Sequence, residues 1–537
     1  MKRTSLPWLL AITLTAGPLV ASCRTAAPPY PEAVFAAKRS TLRGRPATTS
    51  SAEDALAAST GTGGQTFQCS TNQTIVYGPT VPGDNTTMTD QSDADCFAWQ
   101  EFVSLNWPVA PGASGFGTPG DATPVQWQTF MSDDLLFSPT AAPPPPWGTQ
   151  PPLPPSCQTT PTLPALRLPG AIRSLQMVSK GSGAFVPTSV SQAAPFNKPS
   201  WLGAQNGTNV WYEIVVDQDE YSYVTQHQLY NASAQVAFVG GGAGQPVVLP
   251  MGTRSNSVTG AIELKAAWME ITDPENPRWA ARYKLAASTV LDPETGKCRN
   301  IVVALVGLHI IHKTTSQTTW VWATFEHVDN APDASAGAGA VPPDGGYNFY
   351  NPSCQARTID NVPASCLPKG GSSPVTVGCV PNVPPPYYLS QSCPKPVPVQ
   401  VTRVTPIDST TAAVNHAMQA NIESTSPGSV WQYYQLVNTI WSTNSAPPPT
   451  APQKASDVQL QAMQPQGVYP FPPQTSVAST VLETYVQSTT CIQCHVHATL
   501  AATNGVESPW FADFSFLLGG AATPPTPGKT LVRVPLR

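Results

Sequence analysis

The sequence predicts an α+β fold, β-rich in its centre, helical toward its C-terminus, and rich in loops and proline. Three observations predict it. Charged residues make up only 11 % of the 537-residue chain while prolines number 61, a composition that disfavours long surface helices built on Glu, Lys and Arg. Branched and aromatic residues concentrate between Val210 and Val328, as strands require. Beyond residue 408 apolar residues recur three and four apart, the helical period.

Each element follows from its local pattern. Asp93 to Asn106 carries Phe97, Phe102 and Leu105 at helical spacing and is stopped by Pro108. Val210 to Tyr223 is a strand candidate, as are Ala261 to Ile271 and Arg282 to Leu291, the last two joined by the turn-like Asp273-Pro274-Glu275-Asn276-Pro277. Ile301 to Ile311 is a continuous apolar run, which suits a strand buried on both faces. Thr318 to Val328 alternates, and together these two predict a hairpin across Lys313 to Gln317. Thr410 to Glu423, Ser429 to Trp441 and Val477 to Val486 each place apolar residues on one helical face. Proline-rich surface loops are expected at 140–156, 380–400 and 446–453, with a loose connection at 520–528 and no internal repeat.

The first residues point to export. Lys2 and Arg3 precede a mostly apolar stretch, Leu6 to Val20, too short to span a bilayer. It ends in Val20-Ala21-Ser22-Cys23, the pattern of a bacterial lipobox, in which the cysteine is lipidated and becomes the new N-terminus. The expectation is a signal peptide over 1–22, a lipid on Cys23 and a flexible tether over 23–65. Arg24, where an Asp would favour inner-membrane retention, favours the periplasmic face of an outer membrane. Net charge is −5 with no long basic run, so no nucleic-acid partner is expected.

Cysteine usage agrees with that compartment. Of the 11 cysteines, Cys23, Cys491 and Cys494 have other roles. The remaining eight, Cys69, Cys96, Cys157, Cys298, Cys354, Cys366, Cys379 and Cys393, suit up to four disulfides. Close neighbours are the simplest pairing: Cys69 with Cys96, Cys354 with Cys366, Cys379 with Cys393.

The most specific signal is Cys491-Ile492-Gln493-Cys494-His495. Sulfurs three residues apart on one helical turn can reach the two vinyl groups of a haem and form thioethers. The histidine that follows then lies at the iron as its proximal ligand. With 11 Cys and 7 His in 537 residues, a chance match is expected on the order of 0.003 times. A zinc site needs a second ligand pair, and no other Cys-x-x-Cys exists in the chain; a thioredoxin-like redox pair needs a βαβ setting, which is absent.

The opposite face of the iron is less defined. No Met follows His495, and His497 stands too close to the proximal ligand to reach round the ring, so it faces solvent or a propionate. The upstream candidates are His227, His309, His312, His327, His416, Met418 and Met463. His309, in an apolar run where a buried imidazole needs a partner, and Met418, on the apolar face of the helix it shares with His416, are the named distal candidates. Trp320 and Trp322 either flank the haem or pack in the core.

Several segments resemble a group of large bacterial c-type cytochrome family proteins. The likeness rests on Phe97 to Pro108, Glu263 to Trp268, Gly307 to Thr314, Trp320 to Asn330, the Cys491–His495 motif and Ala512 to Leu518. The resemblance implies a single haem near the C-terminus of a larger fold, and no substrate. It implies haem attachment by Cys491 and Cys494 and iron ligation by His495.

Other signals are weak. Gly115 to Gly120 matches a dinucleotide fingerprint by letters but lacks a preceding strand and contains Pro119. Asp133 with Asp134, and Glu270 with Asp273 and Glu275, read as solvated turns. The expected organisation is a β-rich domain with an N-terminal helix over 66–400 and a helical c-type haem-binding region over 401–537. The expected function is an exported lipoprotein with one covalent haem c, an electron-transfer protein more than an enzyme, serving a periplasmic redox partner protein. The alternatives are a haem enzyme or ligand binder with an open distal site, peroxidase- or oxidase-like, and a binding lipoprotein whose haem only supports the fold.

Overall fold

The structure, a computed structural model, describes residues 65–84, 88–109, 115–149, 173–174, 199–240, 244–291, 297–389, 392–458, 463–464, 477–488 and 490–524. The expected signal peptide, Cys23, the tether up to residue 64 and Cys157 lie outside them. All described residues belong to one compact unit, Ala47–Arg537, which has no boundary near residue 400.

A small hairpin, β1 (Gln65–Gln68) and β2 (Thr74–Tyr77), precedes the first long helix, α1 (Gln91–Leu105). α1 starts where Asp90 accepts a hydrogen bond from the Asp93 backbone N–H, a side-chain cap, and stops three residues before Pro108. β3 (Met131–Ser132), the short helix α2 (Asp133–Leu136) and β4 (Arg173–Ser174) follow. The segment read as one strand from Val210 to Tyr223 splits into β5 (Val210–Val216) and α3 (Gln218–Gln226). Asp217 makes the break, because its carboxylate accepts from the Glu220 N–H at 3.1 Å and caps the helix. α4 (Ala232–Val239) and β6 (Ile262–Ile271) come next. α5 (Pro277–Arg282) opens with Asn276 as cap and proline in its first turn, then gives way to β7 (Leu285–Leu291).

β8 (Cys298–His312) and β9 (Val321–His327) form the expected hairpin, antiparallel from Gly307 opposite Glu326 to His312 opposite Val321. A satellite pair, β10 (Arg357–Ile359) and β11 (Val375–Val377), stands apart from the main sheet. α6 (Ser409–Thr425) matches the helix expected over Thr410 to Glu423. Ser429 to Trp441 is not a helix: a 3-10 turn over Val430–Tyr433 leads into β12 (Tyr434–Ser442), which pairs with β9. Its Val437, Thr439, Ile440 and Trp441 fit a pleated surface as well as a helix face, and pairing with a distant strand decides between them. β13 (Met463–Gln464) extends that edge, and the last helix is the five-residue α7 (Cys491–His495). Val477 to Val486, expected to be helical, runs as successive turns. The α+β class therefore stands, while the 401–537 region has one long helix, α6, followed by strands, turns and short helices rather than a helical domain.

The main sheet has nine strands, ordered β13-β12-β9-β8-β6-β5-β3, with β7 on β8 and β4 beside β7. Its pairs are antiparallel except β4 with β7. β8 is the spine. One edge takes β6; the other takes β7 along its first half and β9 along its second. The period of two then assigns each residue a face. Leu308, Ile310 and His312 of β8 and Phe325 of β9 face α1, where Phe102 stacks on Phe325 at 4.3 Å between ring centres and Trp99 meets it edge-on at 5.1 Å. Met418 of α6 joins this same core. Gly307, His309 and Ile311 of β8 and Trp322, Thr324 and Glu326 of β9 face the opposite way, toward the Val477–Val486 turns and α7.

Gly307 matters for that second face. A Cβ there would lie 2.5 Å from Val481 Cγ2, so glycine is what lets the turns lie against the sheet. Glu326 accepts from the Thr480 N–H at 2.6 Å and its hydroxyl at 2.7 Å, and the Tyr212 hydroxyl donates to Val481 O at 2.9 Å.

Three disulfides join Cys69 to Cys96, Cys354 to Cys379 and Cys366 to Cys393, and Cys298 is also disulfide-bonded. The nearest-neighbour pairing is right for the first and wrong for the other two. The 354–393 segment folds so that its bridges interleave, with β10 and β11 aligning residues 357–359 against 375–377. Of the two expected solvated turns, one is corrected and the other is corrected in part. Asp133 is buried, and burial pushes it well above the ordinary carboxyl range and Asp134 up to about 7. Glu270 is buried as well, gripped by Arg299 at 2.8 and 3.1 Å, while Asp273 and Glu275 are exposed in the expected turn.

Candidate functional site

The Cys491–His495 motif forms a single helical turn. Thr490 precedes it, its N–H donating to Gln493 Oε1 at 2.8 Å, which closes the first turn. Ile492 is fully buried and Val496 nearly so, both in a small apolar cluster with Trp320, Trp322, Ile440, Met463, Val477, Phe511 and Phe514. Those contacts dock the turn on the sheet face opposite α1. Cys491 and Cys494 are half-buried and stand outside the disulfides.

His495 is 7 % exposed. Its Nδ1 lies 2.7 Å from the backbone carbonyl of Phe514. A carbonyl only accepts, so Nδ1 carries the proton and donates, which puts the lone pair on Nε2, the nitrogen an iron requires. Trp322 meets the imidazole edge-on at 4.6 Å and Phe516 at 4.8 Å between ring centres.

A local hairpin brings Phe514 back to His495. Thr503 and Val506 exchange both backbone hydrogen bonds, at 3.0 and 2.9 Å, around Asn504 and Gly505, which have φ of 52° and 77°. Asn-Gly is the dipeptide best suited to this turn because both central residues need positive φ. The arms pair through Leu500 N–H to Trp510 O at 3.0 Å and Ala512 N–H to Ala498 O at 3.0 Å. Beyond them Asp513 and Phe514 take φ of 54° and 70°. Two consecutive non-glycine residues in the left-handed region cost about 1–2 kcal/mol each, so other contacts must hold them.

Those contacts centre on Asp513. Its carboxylate is ion-paired with the Lys313 ammonium, both side chains almost wholly buried, and accepts from the Leu249 N–H at 2.7 Å. The Trp320 indole donates to the Asp513 carbonyl at 3.0 Å. Burial pushes Asp513 up and Lys313 down, and each opposes the other's shift. Beside them Glu220 is fully buried, and burial followed by its neighbours Glu263, Asp217 and Asp513 raises it well above the carboxylate range.

The upstream candidates for the distal side are scattered. His309 has both nitrogens engaged, Nε2 with Glu483 Oε1 at 2.7 Å and Nδ1 with Thr324 Oγ1 at 2.9 Å. Iron ligation by His309 would break one of these buried contacts. Met418 packs in the core on the α1 side, away from the cluster that holds α7. His312 is buried against Glu101; burial pulls the imidazole down, but the Glu101 carboxylate outweighs it and raises it above its ordinary value. His327 stacks on Tyr283 at 3.8 Å, and burial lowers it to about 4. His227 lies between Tyr223 and Phe238, and His416 and His497 are exposed. Met463 is the one of these candidates packed in the cluster that holds Ile492 and Val496, with the Thr319 hydroxyl 3.8 Å from its sulfur. Of the two tryptophans read from sequence, Trp322 touches His495 and Trp320 holds Asp513.

Among the described residues no group of three or more His, Cys, Asp or Glu converges to hold a metal ion, so they form no tetrahedral zinc site around the motif. No helix among them is long and apolar enough to cross a membrane. No family model, curated protein or solved structure matches this chain. Paired half-buried sulfurs on one turn, followed by a histidine whose Nδ1 is committed to a carbonyl, are a donor set that fits covalent haem.

Proposed function

We propose that this chain is an exported, lipid-anchored c-type cytochrome carrying one haem on Cys491 and Cys494, with His495 as proximal ligand, and that it passes electrons to a periplasmic partner. The observation that carries the reading is the His495 Nδ1 contact to Phe514 O at 2.7 Å directly after Cys491-x-x-Cys494. That contact gives the imidazole a fixed tautomer, a fixed plane and greater basicity. When bound, the haem supplies one-electron transfer between ferric and ferrous iron. The chain's own residues anchor the ring through two sulfurs, orient the ligand, and exclude water from it with Trp322 and Phe516. The lipid anchor rests on Val20-Ala21-Ser22-Cys23 alone.

Met463 packs with α7 while His309 and Met418 are engaged elsewhere. In the electron-transfer reading Met463 would be the second residue to hold the iron, in exchange for its contact with the Thr319 hydroxyl. The same placement of His309 and Met418 favours a second reading, a haem with an open distal site that binds or turns over a small ligand. Optical spectra of the full chain, oxidised, reduced, and reduced under carbon monoxide, separate them. A c-type spectrum unchanged by carbon monoxide in the wild type, and responsive to it in Met463→Ala, supports electron transfer. A carbon monoxide response in the wild type supports the open site. A protein without haem, produced alongside c-type maturation machinery, overturns both.

A further inference from the structure

Lys313 lies just past the end of β8, and Asp513 just past the Asn504–Gly505 hairpin, 200 residues apart in sequence. They meet as a buried ion pair with side-chain exposures of 1 % and 3 %. The pair sits beside two consecutive residues in the left-handed region, Asp513 and Phe514, and strain of this kind persists only where the surroundings over-determine it. Three further contacts converge on the same turn. The Leu249 N–H donates to the Asp513 carboxylate at 2.7 Å, the Trp320 indole to the Asp513 carbonyl at 3.0 Å, and the Lys313 ammonium lies 5.6 Å from the Trp320 ring centre. The product of the turn is a single carbonyl, that of Phe514, aimed at His495 Nδ1.

We infer that the Lys313–Asp513 pair is a positioning device: it locks the Asp513–Phe514 backbone so that the Phe514 carbonyl holds and polarises His495. This rests on the reading of His495 as an iron ligand. A carbonyl that draws on the Nδ1 proton makes the imidazole a stronger donor through Nε2, which favours ferric over ferrous iron. Loosening the turn weakens that hydrogen bond and shifts the balance toward ferrous, with no change at either cysteine.

The test uses the full chain matured with haem, in the wild type, in Lys313→Met with Asp513→Ala, and in Lys313→Arg. Removing both charges together avoids leaving one buried without its partner. Covalent haem is measured on a denaturing gel, and the ferric-to-ferrous ratio by spectroelectrochemistry at one fixed potential. The expected result is haem in all three proteins, a ratio lowered by about threefold or more in the double variant, and a near wild-type ratio in Lys313→Arg. If the double variant does not fold, Lys313→Met with Asp513→Asn is measured in its place. Asparagine tolerates positive φ and still accepts from Leu249. A wild-type ratio in the charge-free protein overturns the positioning role while leaving haem attachment standing. Absence of haem from the wild type overturns the haem reading itself, and the positioning role with it.

Discussion

The two faces of the main sheet are built from the same strands by different means. The α1 face is mostly apolar: Trp99, Phe102, Phe325, Leu436, Met418 and Trp431 are all almost completely buried, under helices of 15 and 17 residues, with the His312–Glu101 pair and Asn415 as its polar exceptions. The opposite face carries Glu326, His309, Thr324 and Trp322, covered by turns, one five-residue helix and the Phe511–Phe514 segment that follows a hairpin. Burial of large side chains is non-directional and stabilises the first face whatever the detail of the contacts. The second depends on directional hydrogen bonds to named backbone atoms, which place individual groups to fractions of an ångström. Scaffold and site thus divide along the pleat, alternate residues of β8 and β9 serving one or the other.

The comparison breaks most severely if the two faces do not separate under mutation. Replacing both Cys491 and Cys494 by Ala should abolish covalent haem entirely, seen by haem staining on a denaturing gel, while far-ultraviolet circular dichroism of the sheet is unchanged. Loss of the circular dichroism signal as well would mean the scaffold needs the site.

Next in size is Phe102→Ala on the apolar face. It should cost about 3–5 kcal/mol in urea unfolding, with haem per folded molecule unaltered. Haem loss in the folded fraction would show that the faces are coupled through β9.

Asp217, the cap of α3 at the end of β5, adds a test through pH. Burial raises it from 3.8 to about 7, against the hydrogen bonds it accepts from Glu220 and Ile262 N–H. The folded chain keeps its proton to about pH 7, whereas the unfolded chain releases it near 3.8. The stability this group contributes is therefore present below about pH 4 and lost as pH rises through about 7. Asp217→Asn cannot ionise and retains the acceptor oxygen. Relative to the wild type it should gain up to about 4 kcal/mol between pH 4 and pH 8, measured by urea unfolding at both. A pH-independent difference would mean that Asp217 is not buried as a neutral acid.

The smallest effect is expected where the turns lie against the second face. Gly307→Ala puts a methyl 2.5 Å from Val481 Cγ2 and should cost about 1–3 kcal/mol. The added methyl pushes on the turns that lead to α7, so the haem spectrum should shift too. Destabilisation with an unchanged spectrum would separate the turns from the site.

Much of the scaffold was legible because its signals are local. α1 carries its own cap and stop, and the apolar run of β8 could only be a buried strand or helix, with branched residues favouring the strand. Other elements differ from expectation where the local pattern is degenerate. Ser429 to Trp441 suits both periods, and Asp217, a cap with a glutamate three residues on, lies inside a longer strand-like stretch. At the site, the motif residues are plain in sequence, and the Asn504-Gly505 dipeptide alone carries the signal of its hairpin. Phe514 was not readable as a partner of His495, since its contribution is a backbone carbonyl that every residue has. Lys313 and Asp513 were equally hidden, because nothing near either residue in sequence announces the other.

By itself, the sequence determined the chemistry that depends on spacing along the chain: two sulfurs and an imidazole on one helical turn, the alternation that gives β8 and β9 two faces, and the short-range caps. Only the tertiary structure decided which cysteines pair in the 354–393 segment, that β12 is a strand, that His309 and Met418 have other partners, and which carbonyl holds His495. The physical reason is range. Helical turns, caps and tight hairpins are closed by bonds within a few residues, whereas strand pairing, buried ion pairs and the packing of turns onto a sheet join residues far apart, and their energies exist only once the chain has folded.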